Sequence, residues 1–251
     1  MTNAPLPSDA AWRQPQRLAR TAGLVYLAII GLGLFTELVA RGSLLVSGDP
    51  AATAARILAA PDLWRTSIGT ELLMQLLDLP LIVLLYLLLS PVNRGMALLA
   101  ASLNLVQTAV LVANKLLLLM PLFLLDGAAW LQALPLAERQ ALAYLAIKAH
   151  AHGFAMGLVF FGATCVVNGW LVLRSGFLPP VLGLLLALAG VCYLLNSAGM
   201  LLWPPLAGLL QPWVLLPALV GELSLSLWLI VRGVRGETAQ MPGWPGKPGR
   251  R

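Results

Sequence analysis

The stretch that decides the fold is TSIGTELLMQLLDLPLIVLLYLLL, residues Thr66–Leu89. It can form a helix long enough to cross a lipid core, which takes roughly 20 mostly apolar residues. Within it, Glu71, Gln75 and Asp78 recur at i, i+4 and i+7, so they share one helical face. Because charge inside a membrane is costly, each of these residues is a candidate for function. The stretch therefore predicts a membrane helix with a buried polar face.

Other stretches of the same kind extend this prediction to the whole chain. They are Leu18–Val39, Met96–Leu125, Leu142–Leu173, Val181–Leu202 and Trp213–Val231. The 251 residues are 59% hydrophobic and only 10% charged, whereas a soluble domain has about 25% charged residues. We therefore predict an all-α fold, a polytopic membrane helix bundle with six transmembrane helices and no separate soluble module.

The distribution of charge predicts the orientation of the bundle. The formal net charge is +6, and one side would hold Arg13, Arg17, Arg20, Arg94, Arg174, Arg232, Arg235, Lys247, Arg250 and Arg251. The opposite side would hold Arg41, Arg56, Arg65 and Arg139, balanced by Asp49, Asp62, Asp126 and Glu138. The positive-inside rule then places both termini in the cytoplasm. The basic ends suit contact with anionic membrane lipid and predict no nucleic-acid partner, because no stacking aromatic residues accompany them in a folded module.

The ends and the first outer loop differ in their predicted order. Residues 1–16 are expected to be a disordered cytoplasmic N-terminus, residues 17–235 the six-helix transmembrane domain, and residues 236–251 a disordered, basic, Pro/Gly-rich cytoplasmic tail. In the first outer loop, Asp49 is a good N-cap and Pro50 suits a first helical position, which predicts a short helix over Ala51–Ala60.

Small residues recur four apart in several of the predicted spans. The pairs are Ala19 with Gly23, Gly153 with Gly157, and Gly183 with Ala187. Such spacing lets membrane helices approach closely. Packing within one chain is the simpler interpretation, and a homo-oligomer is the alternative.

The second and third spans carry facing polar side chains. Pro80 removes a backbone hydrogen bond near Asp78, so the spot is either a cation or proton site or a packing kink. In the third span, one face holds Asn104, Gln107, Asn114 and Lys115. Lys115 is expected to pair with a carboxylate of the second span, as a structural ion pair or as part of a site.

Two further acidic residues and two histidines complete the set. Glu37 lies near the outer end of the first span, where it either reaches the interface or joins the site. Glu222 lies near the middle of the sixth span, after Pro217, and suits proton transfer or a hydrogen bond to another helix. His150 and His152 are weak metal candidates, because they are not the i, i+4 pair of helical zinc sites and would need Glu71 or Asp78 nearby.

Most of this charge falls in the outer half of the predicted bundle, which predicts a polar pocket open to the outer face. The candidate pocket residues are Glu37, Glu71, Gln75, Asp78, Asn114, Lys115, His152 and Glu222. No catalytic residue and no cofactor is predicted.

Three functions fit these residues. The first is the binding or transport of a small cation, an amine or a proton through this pocket, helped by helix movement at Pro80, Pro121 and Pro217. The second is a structural or regulatory membrane subunit, in which the charges stabilise the bundle. The third is a metal-dependent intramembrane enzyme. The sequence leans away from an enzyme, because it contains no recognised metal or nucleophile motif.

Several short motifs resemble those of a known family. They are LRSGFLP at Leu173–Pro179 with Leu182 and Gly183, AGVCYL at Ala189–Leu194, GDPAATA at Gly48–Ala54, LSPVN at Leu89–Asn93 and FFG at Phe160–Gly162. The chain resembles domain of unknown function family 4386, a bacterial family of multi-pass membrane proteins. The resemblance covers nearly all of the hydrophobic part. It implies the bacterial cytoplasmic (inner) membrane and offers no catalytic residues to carry over.

Overall fold

The computed structural model describes residues 15–131, 133–210 and 213–234. Helices dominate this part of the chain, and it contains no β-strand. Six helical stretches are long and apolar enough to cross a membrane: Pro15–Leu44, Pro61–Leu89, Arg94–Leu125, Leu136–Ser175, Pro180–Leu201 and Trp213–Val231. We call them the first to sixth spans. The predicted six-helix membrane bundle is confirmed.

Three of the spans contain irregular helical segments. The first consists of an α-helix (Pro15–Leu34), a π-helix (Phe35–Arg41) and one further α-turn (Gly42–Leu44). The third is interrupted at Lys115, between the α-helices Arg94–Asn114 and Leu116–Leu125. The sixth begins with a 3₁₀ turn (Trp213–Leu215) and continues as the α-helix Leu216–Val231. Shorter helices occur at Pro50–Ala59, Ala129–Leu131 and Pro204–Leu210.

Local sequence explains where several helices begin and end. Asp49 caps the helix Pro50–Ala59 through the amide of Ala52 at 2.8 Å, which confirms the short helix predicted in the first loop. Asn93 caps the third span in the same way through the amide of Met96 at 3.0 Å. Gly176 ends the fourth span in the left-handed conformation that favours glycine.

Proline and glycine have particular positions in the packing. Pro217 lies in the first turn of its helix, where a missing N–H costs no hydrogen bond, so the predicted kink at Pro217 is wrong. Pro80 and Pro121 do lie inside helices. The fourth and fifth spans approach so closely that a Cβ atom on Gly169 would lie 2.6 Å from the carbonyl oxygen of Gly183. The paired glycines therefore serve packing within the chain.

The six spans pack in a closed ring in chain order, with the sixth span against the first. The Gln16 side chain hydrogen-bonds the backbone of Val234, so the two described ends lie at the same end of the bundle. We call this end the terminal face and the opposite end, which carries Pro50–Ala59, the loop face. The assignment of the terminal face to the cytoplasm stays a prediction.

The predicted disordered ends lie almost wholly outside the described residues. Residues 1–14 and 235–251 belong to this undescribed part, so their predicted disorder stays a prediction. The first helix begins at Pro15, two residues before the predicted domain start at residue 17.

Candidate functional site

A group of charged side chains lies buried in the loop-face half of the bundle. The Glu71 carboxylate forms ion pairs with Arg41 of the first span and Lys115 of the third. His150 Nε2 of the fourth span lies 3.8 Å from Glu71 Oε2. Arg41 also pairs with Glu37. We call these five residues the Glu71 cluster, and it confirms that Lys115 pairs with a carboxylate of the second span.

Irregular helix geometry brings the two cations to Glu71. Arg41 ends the π-helix, in which the amide of Gly42 bonds the carbonyl oxygen of Glu37, five residues back. Lys115 lies at the break in the third span, where its amide bonds the carbonyl oxygen of Val112 at 3.1 Å, three residues back. Short π and 3₁₀ segments inside helices often mark functional positions.

Arg41 was predicted to lie on the outer side of the membrane, which stays a prediction, but its burial was not predicted. Its side chain is only 7% exposed and lies inside the bundle. The reason is the π-helix, whose extra residue per turn changes which side chains face inward. The Glu71 cluster thus buries two cations with one carboxylate, while Glu37 stays 59% exposed. The buried part of the cluster therefore has more positive than negative side chains.

Asp78 lies deeper in the second span, in a different setting. Its Oδ1 atom accepts a hydrogen bond from Asn104 Nδ2 at 3.2 Å, and its Oδ2 atom accepts one from the Thr108 hydroxyl. Both donors are neutral and come from the third span. Asp78 and both donors are buried.

Glu222 lies in the sixth span and is also bonded by neutral groups. The hydroxyl of Tyr193, on the fifth span, donates to Oε1, and Tyr26 of the first span lies near the same carboxyl group. The predicted hydrogen bond from Glu222 to another helix is therefore confirmed. Within the described ranges, neither Glu222 nor Asp78 forms an ion pair.

A small cavity connects the surroundings of these two carboxyl groups. Its volume is about 20 Å³, which is room for about one water molecule. Asn104, which donates to Asp78, and Tyr26, which lies near Glu222, both line it, whereas the two carboxyl groups themselves do not. The cavity extends toward the terminal face, where Leu89 and Leu178 border it. We call Asp78, Glu222, their hydrogen-bond partners and this cavity the Asp78–Glu222 site.

The candidate pocket residues are thus divided between two buried places and the surface. Glu71 and Lys115 belong to the Glu71 cluster, and Asn114 supports it by donating to the backbone oxygen of His150 at 2.9 Å. Gln75 is buried between Glu71 and Asp78 along the second span. Because Glu71 and its partners are buried, they do not line one pocket open to the loop face together with Glu222.

The two histidines point to different environments. His150 is buried beside Glu71, whereas His152 is exposed and its Nδ1 atom lies 2.9 Å from the backbone oxygen of Lys148. His152 is therefore not part of either buried place. No group of three or more His, Cys, Asp or Glu side chains is arranged to hold a metal in the part of the chain that the structure describes.

Five residues of these sites were not among the candidate pocket or metal residues, although Asn104 was placed on the polar face of the third span, and two others had a usable signal. Arg41 lies four residues after Glu37, and Thr108 lies four residues after Asn104, so helical spacing alone connects each to a candidate. Tyr26 and Tyr193 reach Glu222 from other spans, which only the packed bundle reveals.

The fold and these buried charges define a multi-pass membrane protein. A family model described as "Domain of unknown function (DUF4386)" matches residues 21–233, and the chain belongs to that family. Comparisons with curated proteins and with solved structures gave no match.

Proposed function

We propose that this protein binds a small cation, an amine or a proton at the Asp78–Glu222 site, in the bacterial cytoplasmic membrane. The observation that carries the proposal is two buried carboxyl groups that are bonded only by neutral donors. A neighbouring side chain of each, Asn104 and Tyr26, lines one cavity. A buried charge without a partner is so costly that it must be neutralised. A bound cation or a proton supplies that neutralisation.

The Glu71 cluster supports the choice of site by contrast. Its carboxylate already has two cationic partners, so a further cation there would meet net repulsion. The cluster also lies between the Asp78–Glu222 site and the loop face. The cavity borders Leu89 and Leu178 on the other side, which favours access from the terminal face.

The experiment is a ligand-dependent unfolding measurement on the purified protein in lipid nanodiscs. Thermal unfolding is followed in sodium, potassium and methylammonium chlorides against N-methylglucamine chloride at equal ionic strength, and across a pH series. A ligand that binds only the folded state at 100 times its Kd stabilises by about 2.7 kcal/mol. We expect at least one cation or the proton to stabilise the wild type.

Matched variants test whether the stabilisation by a cation or a proton arises at the Asp78–Glu222 site. The double variant Asp78→Asn with Glu222→Gln should lose it, and Glu37→Gln, which alters an exposed carboxylate, should retain it. A response that survives in the double variant would contradict the proposal, as would a wild type that responds to none of these conditions. Vesicles with the protein reconstituted, and an internal ion or pH dye, then separate transport from binding.

A second candidate function rests on the Glu71 cluster. Its ion pairs and the nearby His150 join the first four spans, as expected for a structural or regulatory membrane subunit. This candidate predicts that charge-removing substitutions change stability alone. It is favoured if the cation and pH series leave the wild type unaffected while Lys115→Met still destabilises it.

A further inference from the structure

Three buried amide oxygens have no hydrogen-bond donor and belong to residues within three positions of Asp78, Asn104 or Thr108 in the sequence. They are Gln75 Oε1, Asn104 Oδ1 and Gln107 Oε1, and none has a partner among the described residues. Each of the three side chains is more than nine-tenths buried. Leaving such a group unpaired costs about 1–3 kcal/mol, so three in one region call for a physical explanation, such as an ion or water.

Helix geometry places these oxygens near one another. Gln75 precedes Asp78 by three residues, about 4.5 Å along the helix axis. On the third span, Asn104 and Thr108 both bond Asp78, and Gln107 lies between them in sequence. Asn104 also lines the cavity, so its unpaired Oδ1 belongs to a side chain that reaches the open space.

The chemistry of these oxygen atoms limits the classes of ligand that they can bind. The unpaired atoms and Asp78 offer oxygen ligands alone, which hard cations prefer over soft ones. One carboxylate with neutral amide oxygens balances a single positive charge. Calcium sites, in contrast, take 6–8 oxygens that include several carboxylates. The cavity of about 20 Å³ is too small for an organic amine with its own hydration.

We infer that the Asp78–Glu222 site binds a monovalent alkali cation of sodium's size, with Asp78, Asn104, Gln75 and Gln107 as its oxygen ligands. This inference rests on the proposed function and names the class of ligand. The ion would compensate the charge of Asp78 and the unpaired amide oxygens together, which a proton on Asp78 alone would not do.

The test measures binding of radioactive sodium to the full chain in nanodiscs, with thermal unfolding in sodium and in N-methylglucamine chloride alongside. We expect saturable sodium binding by the wild type, and at least about tenfold weaker apparent affinity, equivalent to about 1.4 kcal/mol, in both Gln107→Leu and Gln75→Leu. If the oxygens were merely unpaired, these variants would be neutral or stabilising and would leave sodium affinity unchanged. Such unchanged affinity would overturn the inference.

The control is Ser197→Ala, which removes another buried, unpaired oxygen from the fifth span, a span that supplies no ligand to the inferred site. It should bind sodium as the wild type does, and a loss equal to that of Gln107→Leu would also overturn the inference. If sodium does not bind but lower pH or another cation stabilises the wild type through Asp78, the sodium site is wrong and the proposed function stands. If no cation and no pH change acts on the wild type, both are wrong.

Discussion

The Glu71 cluster and the Asp78–Glu222 site hold buried carboxyl groups in opposite ways. In the first, cations from two spans compensate Glu71. In the second, amide and hydroxyl groups bond Asp78 and Glu222 without adding any positive charge. The polar face of the second span connects both, since Glu71 and Asp78 lie seven residues apart on it. One helix thus carries a carboxylate that the fold pairs with cations and a carboxyl group that only neutral donors bond.

Because of this difference, substitutions at the two places should affect the stability of the fold differently. Removing one partner of a compensated buried pair leaves the other charge exposed to the low-dielectric interior. Removing an uncompensated carboxylate relieves the fold of a cost. Substitutions at the two places should therefore differ in sign or size when the free energy of unfolding is measured.

The largest loss in the free energy of unfolding should come from breaking the ion pair between Glu71 and Lys115. Lys115→Met leaves Glu71 with Arg41 alone in a buried position, and breaking a buried ion pair typically costs about 3–5 kcal/mol. Unfolding in nanodiscs measures the loss, and the double variant Glu71→Gln with Lys115→Met should recover part of it. If Lys115→Met is as stable as the wild type, the pair does not stabilise the bundle.

A smaller loss in the free energy of unfolding is expected for a substitution at Tyr193. Tyr193→Phe removes the hydroxyl that donates to Glu222, and a hydrogen bond to a polar or charged group contributes about 1–2 kcal/mol. The same unfolding measurement applies, with Tyr144→Phe as a control because that hydroxyl bonds Gly48 at an exposed position. Equal losses in both variants would argue against a special role for the bond to Glu222.

Asp78→Asn should change stability less still. The substitution keeps the shape and an acceptor oxygen for Asn104 while it removes the uncompensated charge, so we expect a change below about 1 kcal/mol without added ligand. The variant should also lose the stabilisation by cations. A loss as large as that of Lys115→Met would place Asp78 among the structural charges instead.

The smallest effect is expected at Glu37. Its side chain is 59% exposed, so Glu37→Gln removes a solvent-screened partner of Arg41 and should cost about 0.5 kcal/mol or less. High salt should reduce even this difference, because it screens exposed charges. A cost comparable with that of Lys115→Met would mean that Glu37 contributes to the buried cluster.

Sequence patterns predicted the helices and the pairings that depend on regular helical spacing. The apolar stretches indicated all six spans, and the i, i+4, i+7 spacing placed Glu71, Gln75 and Asp78 on one buried face. Lys115 was matched with the second span because adjacent antiparallel helices bring residues at similar depth together. These inferences need only the rise and period of an α-helix.

Other features depend on departures from that regular geometry or on distant packing. The burial of Arg41 was not predicted because nothing in FTELVAR, Phe35–Arg41, distinguishes a π-helix from an α-helix by composition. The partners of Glu222 come from the first and fifth spans, so their meeting depends on the closed ring. The single outward pocket was wrong for a related reason, because depth along each span was predicted but burial between spans was not.

The π-helix also makes the helical geometry of the first span important. Each residue turns an α-helix by about 100°, so if the same seven residues of Phe35–Arg41 formed a regular α-helix, Arg41 would rotate by roughly 100° relative to Pro15–Leu34. Arg41 would then leave Glu71, although every charged side chain would still be present. The buried pair of Arg41 and Glu71 thus depends on the helical geometry of this segment as well as on the two charges.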